Sequence, residues 1–172
     1  MSAFVELVLT RGYEALTAGE ICRKANVGRS TFYLHYTNKE ELLGESLKKP
    51  SSQMAACVDG HITPQKLLPL LEHFREQRTV NRTFFADPIR TLWVKSLAAL
   101  IEPRLAIGSA SGGMRMHIPR SLVALMIAEM QIALITHWLT GRSPLKSEGI
   151  AATFVASTRA MLAALGRAER TK

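Results

Sequence analysis

Apolar residues recur along this chain at the three- and four-residue spacing of helices, and no alternating run is long enough for a strand. The pattern therefore predicts an all-α fold. Four short helices are expected first, over 2–11, 18–25, 29–36 and from 39 to about 50, where Pro50 bends or breaks the last of them. Longer helices follow at about 64–77, 88–107, 119–140 and 145–168, with a short one near 82–85 and a flexible linker at 108–113.

Residues 16–43 carry the signals of a helix-turn-helix. Thr17 and Glu20 have the spacing of a capping box, which starts a helix, and Asn26 tolerates the left-handed backbone that ends one. A four-residue turn at about 26–29 joins this helix to the next. The second helix of such a pair enters the major groove of DNA with its N-terminal residues at the base edges.

The charge of the chain supports this interpretation only locally. The 172 residues carry a net charge of +8, which favours nucleic acid or an acidic membrane surface as a partner. Residues 1–50 hold seven basic and six acidic side chains, so most of the excess lies further on. Between Ile21 and Lys39, however, there are four basic residues and no acid, as expected of a surface that follows phosphates.

The ordered string from residue 12 to residue 43 resembles the DNA-binding domain of TetR-type (AcrR-like) transcriptional regulators. It comprises Gly12-Tyr13, Leu16-Thr17, Ile21, Ala25-Asn26-Val27, the run Ser-Thr-Phe-Tyr-Leu-His-Tyr at 30–36 and Asn-Lys-Glu-Glu-Leu-Leu at 38–43. The resemblance covers about 3–47. It implies a three-helix DNA-binding domain at 1–47 and a larger helical ligand-binding and dimerisation domain at 48–172. Relatives usually carry a basic arm and a further helical turn before this point, so either the true start lies upstream of Met1 or the protein lacks the arm.

The resemblance also implies a function: a cytoplasmic, homodimeric regulator, most simply a repressor, that leaves a palindromic operator when a small effector binds. Residues at seven positions are expected to contact DNA: Thr17, Arg29, Ser30, Thr31, Tyr33, His35 and Lys39. Arginine donates a bidentate pair to guanine, threonine can touch a thymine methyl, and a phenol or an ammonium is a suitable phosphate donor. Phe32 and Tyr36 share one helix face and are expected in the core.

The larger domain is expected to hold a mainly apolar effector. Aromatic residues and adaptable methionines are typical of such pockets, and the candidates are Phe74, Phe84, Phe85, Trp93, Leu97, Met126 and Met130. Gln131 or His137 is expected to supply a polar group. For each candidate, an ordinary place in the core is at least as well supported.

The last two long helices are expected to form the homodimer. Residues 122–139 are apolar on nearly all faces, and a helix of that kind must be buried on several sides. The predicted interface residues are Leu122, Leu125, Ile132, Ile135, Phe154, Thr158 and Met161. A membrane span at 121–139 is disfavoured, because Glu129, Gln131 and His137 lie within it.

Other classes of function find little support. The five histidines are scattered, Ala110 stands where the G-x-S-x-G motif needs its serine, and no phosphate-binding or dinucleotide-binding glycine motif is present. We therefore expect that the protein is not an enzyme and that it binds neither a cofactor nor a metal ion. The alternative function is a helical adaptor whose basic face binds an acidic protein or a membrane surface; a salt-dependent, sequence-specific gel shift separates the two.

Overall fold

The computed structural model describes residues 2–60, 62–110 and 114–168. They fold into the helices α1 (Ala3–Arg11), α2 (Ala18–Ala25), α3 (Arg29–His35), α4 (Lys39–Ala55), α5 (Pro64–Glu76), α6 (Arg78–Phe84), α7 (Ile89–Ala110), α8 (Arg120–Leu139) and α9 (Ser147–Leu165). A 3₁₀ turn at Ala56–Asp59 follows α4. The predicted all-α class is confirmed.

The structure departs from the prediction in four places. Helix α4 passes Pro50 without a break, because Leu47, Ser51 and Met54 on either side of the proline are buried and hold the helix in place. Helix α6 begins at Arg78, before the predicted start at residue 82. Part of the predicted linker, 108–110, belongs to α7, and 111–113 lie outside the described residues. Two three-residue strands, β1 (Met114–Met116) and β2 (Gly166–Ala168), pair antiparallel.

Helices α1 to α3 pack against the first half of α4. The two local signals that the sequence carried are both present: Thr17 and Glu20 form the capping box of α2, and Asn26 takes a left-handed conformation with φ 54° and ψ 45°. Their shared core is built from Phe4, Val8, Tyr13, Leu16, Ile21, Cys22, Phe32, Leu43 and Leu47. The predicted boundary at residue 47 falls inside α4, so the division into two domains stays a prediction.

The second half of α4 packs with α7, α7 packs with α8, and α8 packs with α9, while α5 lies over α9. Buried hydrogen bonds join three of these helices. Gln131 Nε2 on α8 donates to Thr158 Oγ1 on α9 at 3.2 Å and to the Met54 carbonyl on α4 at 3.4 Å. Beside it the rings of Phe74, Phe85 and Trp93 pack with centroid separations of 4.5–6.1 Å.

Helix α8 is the one described helix that is long and apolar enough to cross a membrane, and half of that stretch is buried within the chain. Its buried positions recur on the side that faces α7 and α9, including Val123, Ile127, Gln131 and Ile135. The apolar character of α8 is thus largely explained by packing inside the protein.

The indole of Trp93 provides a test of how α4 and α7 are joined. Its Nε1 donates to Ser51 Oγ at 2.8 Å in a fully buried setting. The change Ser51→Ala leaves that donor without a partner and is expected to cost about 1–3 kcal/mol of unfolding free energy. Ser52→Ala, on the exposed face of the next position, serves as the control. Equal urea midpoints for the two variants would contradict the assigned role.

Candidate DNA-binding surface

Helix α3 is seven residues long and buries one side chain. Phe32 is 5% exposed. The other side chains of the helix are all exposed: Arg29, Ser30, Thr31, Tyr33, Leu34 and His35. A short helix that exposes nearly all of its surface gains little from burial, so its sequence is free to serve recognition.

Aromatic contacts hold α3 in place. The Phe32 ring meets the Tyr33 ring edge-on with a centroid separation of 5.3 Å and lies 5.5 Å from the ring of Tyr36. Tyr36 is half-buried and ends the helix. The prediction that Phe32 lies in the core is confirmed, and Tyr36 packs at its edge.

The start of α2 is fixed by Thr17 and Glu20. The Thr17 hydroxyl accepts from the Glu20 N–H at 3.3 Å and donates to the Glu20 carboxylate at 2.9 Å, while the Thr17 N–H donates to the same carboxylate at 3.0 Å. The hydrogen bonds from the Thr17 backbone and hydroxyl lower the pKa of Glu20. Arg11 completes the group by pairing with Glu20. A phosphate contact by the Thr17 hydroxyl stays a prediction, and it would compete with these bonds.

Lys39 lies at the first residue of α4 and points back towards the loop between α1 and α2. Its ammonium donates to the carbonyls of Tyr13, Glu14 and Leu16 at 3.1, 2.9 and 3.1 Å. It also lies 4.8 Å from the centre of the Tyr13 ring. An ammonium has three donors, and all three are used here. A phosphate contact by Lys39 therefore stays a prediction that requires one of these bonds to be replaced.

Cationic side chains flank α3 with no carboxylate among them. Arg23 and Arg29 are exposed and take part in no ion pair among the described residues, whereas Lys24 pairs with Glu6 at 2.6 Å. The guanidinium of Arg29 lies against Gly19 in the first turn of α2, where an added Cβ would stand 2.8 Å from Arg29 Nη2. Gly19 thus leaves Arg29 room beside the start of α2.

Leu34 is a feature of this surface that the sequence analysis missed. It is 79% exposed, which is unusual for a large apolar side chain. The signal was available in the spacing, because a residue two positions after the buried Phe32 points to the opposite side of a helix. Val27, in the turn before α3, is the second exposed apolar residue here.

The predicted effector-binding residues do not all come together. Phe74, Phe84 and Trp93 line a cavity of about 710 Å³ between α1, α4, α5 and α6. Phe85 and Leu97 are buried but do not line that cavity. The other four side chains named for an effector are placed elsewhere: Met126 is exposed on α8, Met130 is half-buried, Gln131 is bound to Thr158, and His137 is exposed beside the Arg142 carbonyl.

The predicted dimer residues divide into two groups. Leu122 and Leu125 are 44% and 40% exposed on α8, and Met161 is half-buried on α9. The other four have no exposed surface, because they face the core that α8 and α9 share within one chain: Ile132, Ile135, Phe154 and Thr158. The structure corrects their assignment to an interface, since a side chain enclosed by its own chain cannot contact a partner.

Comparison with known proteins identifies the family. Residues 1–45 match the family described as bacterial regulatory proteins, tetR family. YhgD of Bacillus subtilis (strain 168), an uncharacterized HTH-type transcriptional regulator, is 28% identical in an alignment of 158 positions that covers 81% of this chain and 82% of YhgD. Residues 1–45 thus match the TetR family of bacterial transcriptional regulators, and most of the chain is similar to an HTH-type regulator.

Solved structures of TetR proteins share this fold along nearly the whole chain. A TetR transcriptional regulator from Streptococcus agalactiae is 25% identical with a TM-score of 0.55, over 91% of this chain and 89% of that one. FadR of Thermus thermophilus, a TetR-family repressor solved in complex with lauroyl-CoA, is 21% identical with a TM-score of 0.50. The match covers 99% of this chain and 95% of FadR. The fold of the chain is thus that of TetR-type regulators, with an N-terminal helix-turn-helix followed by a larger helical part.

Lys39 offers a test of how the TetR domain is held together. Lys39→Met keeps most of the apolar stem but removes the ammonium from three carbonyls, so we expect a loss of about 1–3 kcal/mol in unfolding free energy. Lys48→Met is the matched control, because Lys48 is exposed and pairs with Glu45 alone. A Lys39 variant as stable as the Lys48 variant would contradict the structural role.

Proposed function

We propose that this TetR regulator is a repressor: a cytoplasmic homodimer, without enzymatic activity, that holds a palindromic operator and leaves it when a small, mainly apolar molecule binds. The observation that carries the DNA-binding part is α3 itself. One buried residue anchors the helix, and the remaining side chains offer a guanidinium, three hydroxyls and an imidazole, with no acid. A surface of that composition suits base edges and phosphates.

Roles for the individual residues follow from their position on α3. Arg29 and Ser30 open the helix, where the residues nearest the base edges lie, and Arg29 is suited to a bidentate contact with guanine. Thr31 is suited to a thymine methyl. Tyr33 and His35 are suited to contacts with the phosphate backbone. Thr17 and Lys39 become further phosphate contacts when phosphate oxygens replace their intramolecular hydrogen bonds.

Leu34 adds a contact that the sequence alone did not suggest. An isobutyl group has no hydrogen bond to offer, but it can pack on the C5-methyl of thymine in the major groove. Its near-complete exposure in the free protein means that this apolar area is available for burial against DNA. We propose that Leu34 favours an A·T pair at one position in each half-site.

The homodimer is proposed to form through the outward faces of α8 and α9. On α8 these faces carry Leu122, Leu125 and Met126, which are exposed close together at one end of the helix. Met161 on α9 extends the apolar surface. A two-fold axis there would pair each patch with its own copy and set two recognition helices on one face of the duplex.

The effector site is proposed to be the cavity between α1, α4, α5 and α6. Its volume of about 710 Å³ lies within the range of small-molecule pockets, and its aromatic lining suits an apolar ligand. The related FadR of Thermus thermophilus was solved in complex with lauroyl-CoA, a molecule with an apolar chain. Helix α4 carries the coupling, because it begins at Lys39 beside the DNA-binding helices and also lines the cavity.

A duplex selected from a random pool gives the direct test of DNA binding. Arg29→Ala is expected to weaken binding by about 1–3 kcal/mol and to relax the preference at one base pair per half-site. Leu34→Ala is expected to relax a second position without changing the salt dependence, because it removes no charge. The control is Arg75→Ala, an exposed arginine of α5 outside this surface. Binding without any sequence preference would favour the adaptor alternative.

The dimer is tested by placing charge on the outer face of α8. Leu125→Glu buries a carboxylate in the proposed interface and should give a monomer in sedimentation or light scattering at micromolar concentration. Leu100→Glu places the same charge on a similarly exposed leucine of α7 and should remain dimeric. A wild-type monomer, or equal behaviour of the two variants, would contradict this assignment.

A further inference from the structure

The cavity between α1, α4, α5 and α6 is lined by apolar rings and by two basic side chains. The wall includes the rings of Phe74, Phe84 and Trp93. The charged or titratable side chains that line it are Lys49, on α4, and His73, on α5; no aspartate or glutamate lines it. A ligand in this cavity therefore meets both apolar rings and basic groups.

Lys49 and His73 are not neutralised within the chain. Among the described residues, neither side chain takes part in an ion pair or a side-chain hydrogen bond. The neighbouring lysine differs, since Lys48 pairs with Glu45 on the same helix. An exposed lysine is commonly unpaired, but here the unpaired cation borders a cavity that also holds an aromatic wall and contains no competing carboxylate.

Further polar groups line the same cavity as Lys49 and His73. Gln53 and Gln77 line the cavity and have no side-chain partner among the described residues, whereas the Asn81 amide is fixed by its bond to the Phe74 carbonyl at 2.9 Å. An oxyanion entering between α4 and α5 thus meets an ammonium, an imidazole and amide donors. Such charge-assisted hydrogen bonds are the stronger kind in proteins.

We propose that this cavity binds an amphipathic anion, a molecule with one carboxylate or phosphate head and an apolar body. The head lies at Lys49 and His73, and the body lies against Phe74, Phe84 and Trp93. This inference rests on the proposed function, whose effector it assigns to a chemical class and to a defined site. It also replaces Gln131 and His137, the polar groups expected from the sequence, since neither lines the cavity.

The position of the cavity gives such a ligand a direct route to the DNA-binding helices. Ser2 and Val5 of α1 and Ser46 and Leu47 of α4 contribute to its lining. A ligand there touches helices that also pack under α3. Binding is coupled to operator affinity if the ligand prefers one arrangement of α1 and α4 over the other, and the coupling acts equally in both directions.

Three ten-carbon amphiphiles test the proposal without DNA: decanoate, decanol and decyltrimethylammonium, each below its micelle concentration. Binding is followed by calorimetry and by the fluorescence of Trp93, with Trp93→Phe identifying its share of the signal. We expect decanoate to bind at least about tenfold more tightly than decanol, and the cationic amphiphile to bind most weakly. Decyl phosphate then distinguishes a phosphate head from a carboxylate.

Charge variants locate the head group. The double variant Lys49→Gln, His73→Gln should bind decanoate about tenfold or more weakly and bind decanol as tightly as wild type. The control is Lys66→Gln, at an exposed lysine of α5 outside the cavity, which should change neither affinity. Circular dichroism of each variant checks that it is folded. Equal affinity for decanoate and decanol, an equal loss of both in the double variant, or binding of none of the amphiphiles would overturn the proposal.

The two proposals fail in different ways. Decanoate that binds with the expected charge dependence but leaves operator affinity unchanged would contradict the role as an inducer site and support the anion assignment. Operator binding that proceeds normally while the charge variants bind decanoate like wild type would contradict the anion assignment alone.

Discussion

A seven-residue helix needs tertiary contacts to be stable, and in this protein the buried side chain of Phe32 provides the main one. Short helices are marginal in water, so α3 depends on its single buried ring, Phe32, and on the half-buried Tyr36 that ends the helix. The same constraint explains why the rest of α3 is exposed. Each further residue of α3 buried in the core would be unable to contact DNA. The left-handed Asn26 ends α2 just before the turn that leads into α3.

Helix α4 connects that surface to the rest of the chain. Its first residue, Lys39, binds three carbonyls of the α1–α2 loop, and its later residues Ser51 and Met54 are buried against α7 and α8. Pro50, which removes one backbone donor, lies between these two halves. The helix also lines the large cavity, so a change there acts on an element that the DNA-binding helices share. Packing along α4 thus links the cavity physically to the DNA-binding helices.

Local signals were sufficient to predict much of the fold and the family. The capping box at Thr17, the turn at Asn26 and the helical spacing of apolar residues depend on neighbours in sequence, and each was found where expected. Features that depend on distant partners were not predictable. The ammonium of Lys39 finds its carbonyls more than twenty residues away, and Ile132 and Phe154 fill the core of their own chain rather than an interface. Sequence periodicity shows that a helix must be buried, but not which neighbour buries it.

Chemical interference on the selected operator tests the central claim, that α3 reads the major groove in two symmetric half-sites. Methylation of guanine N7 marks the major groove and methylation of adenine N3 marks the minor groove. The account predicts that N7 methylation blocks binding in two blocks separated by about one helical turn or a multiple of it, with the guanine block lost in Arg29→Ala. Interference confined to adenine N3, or spread evenly along the duplex, would contradict it.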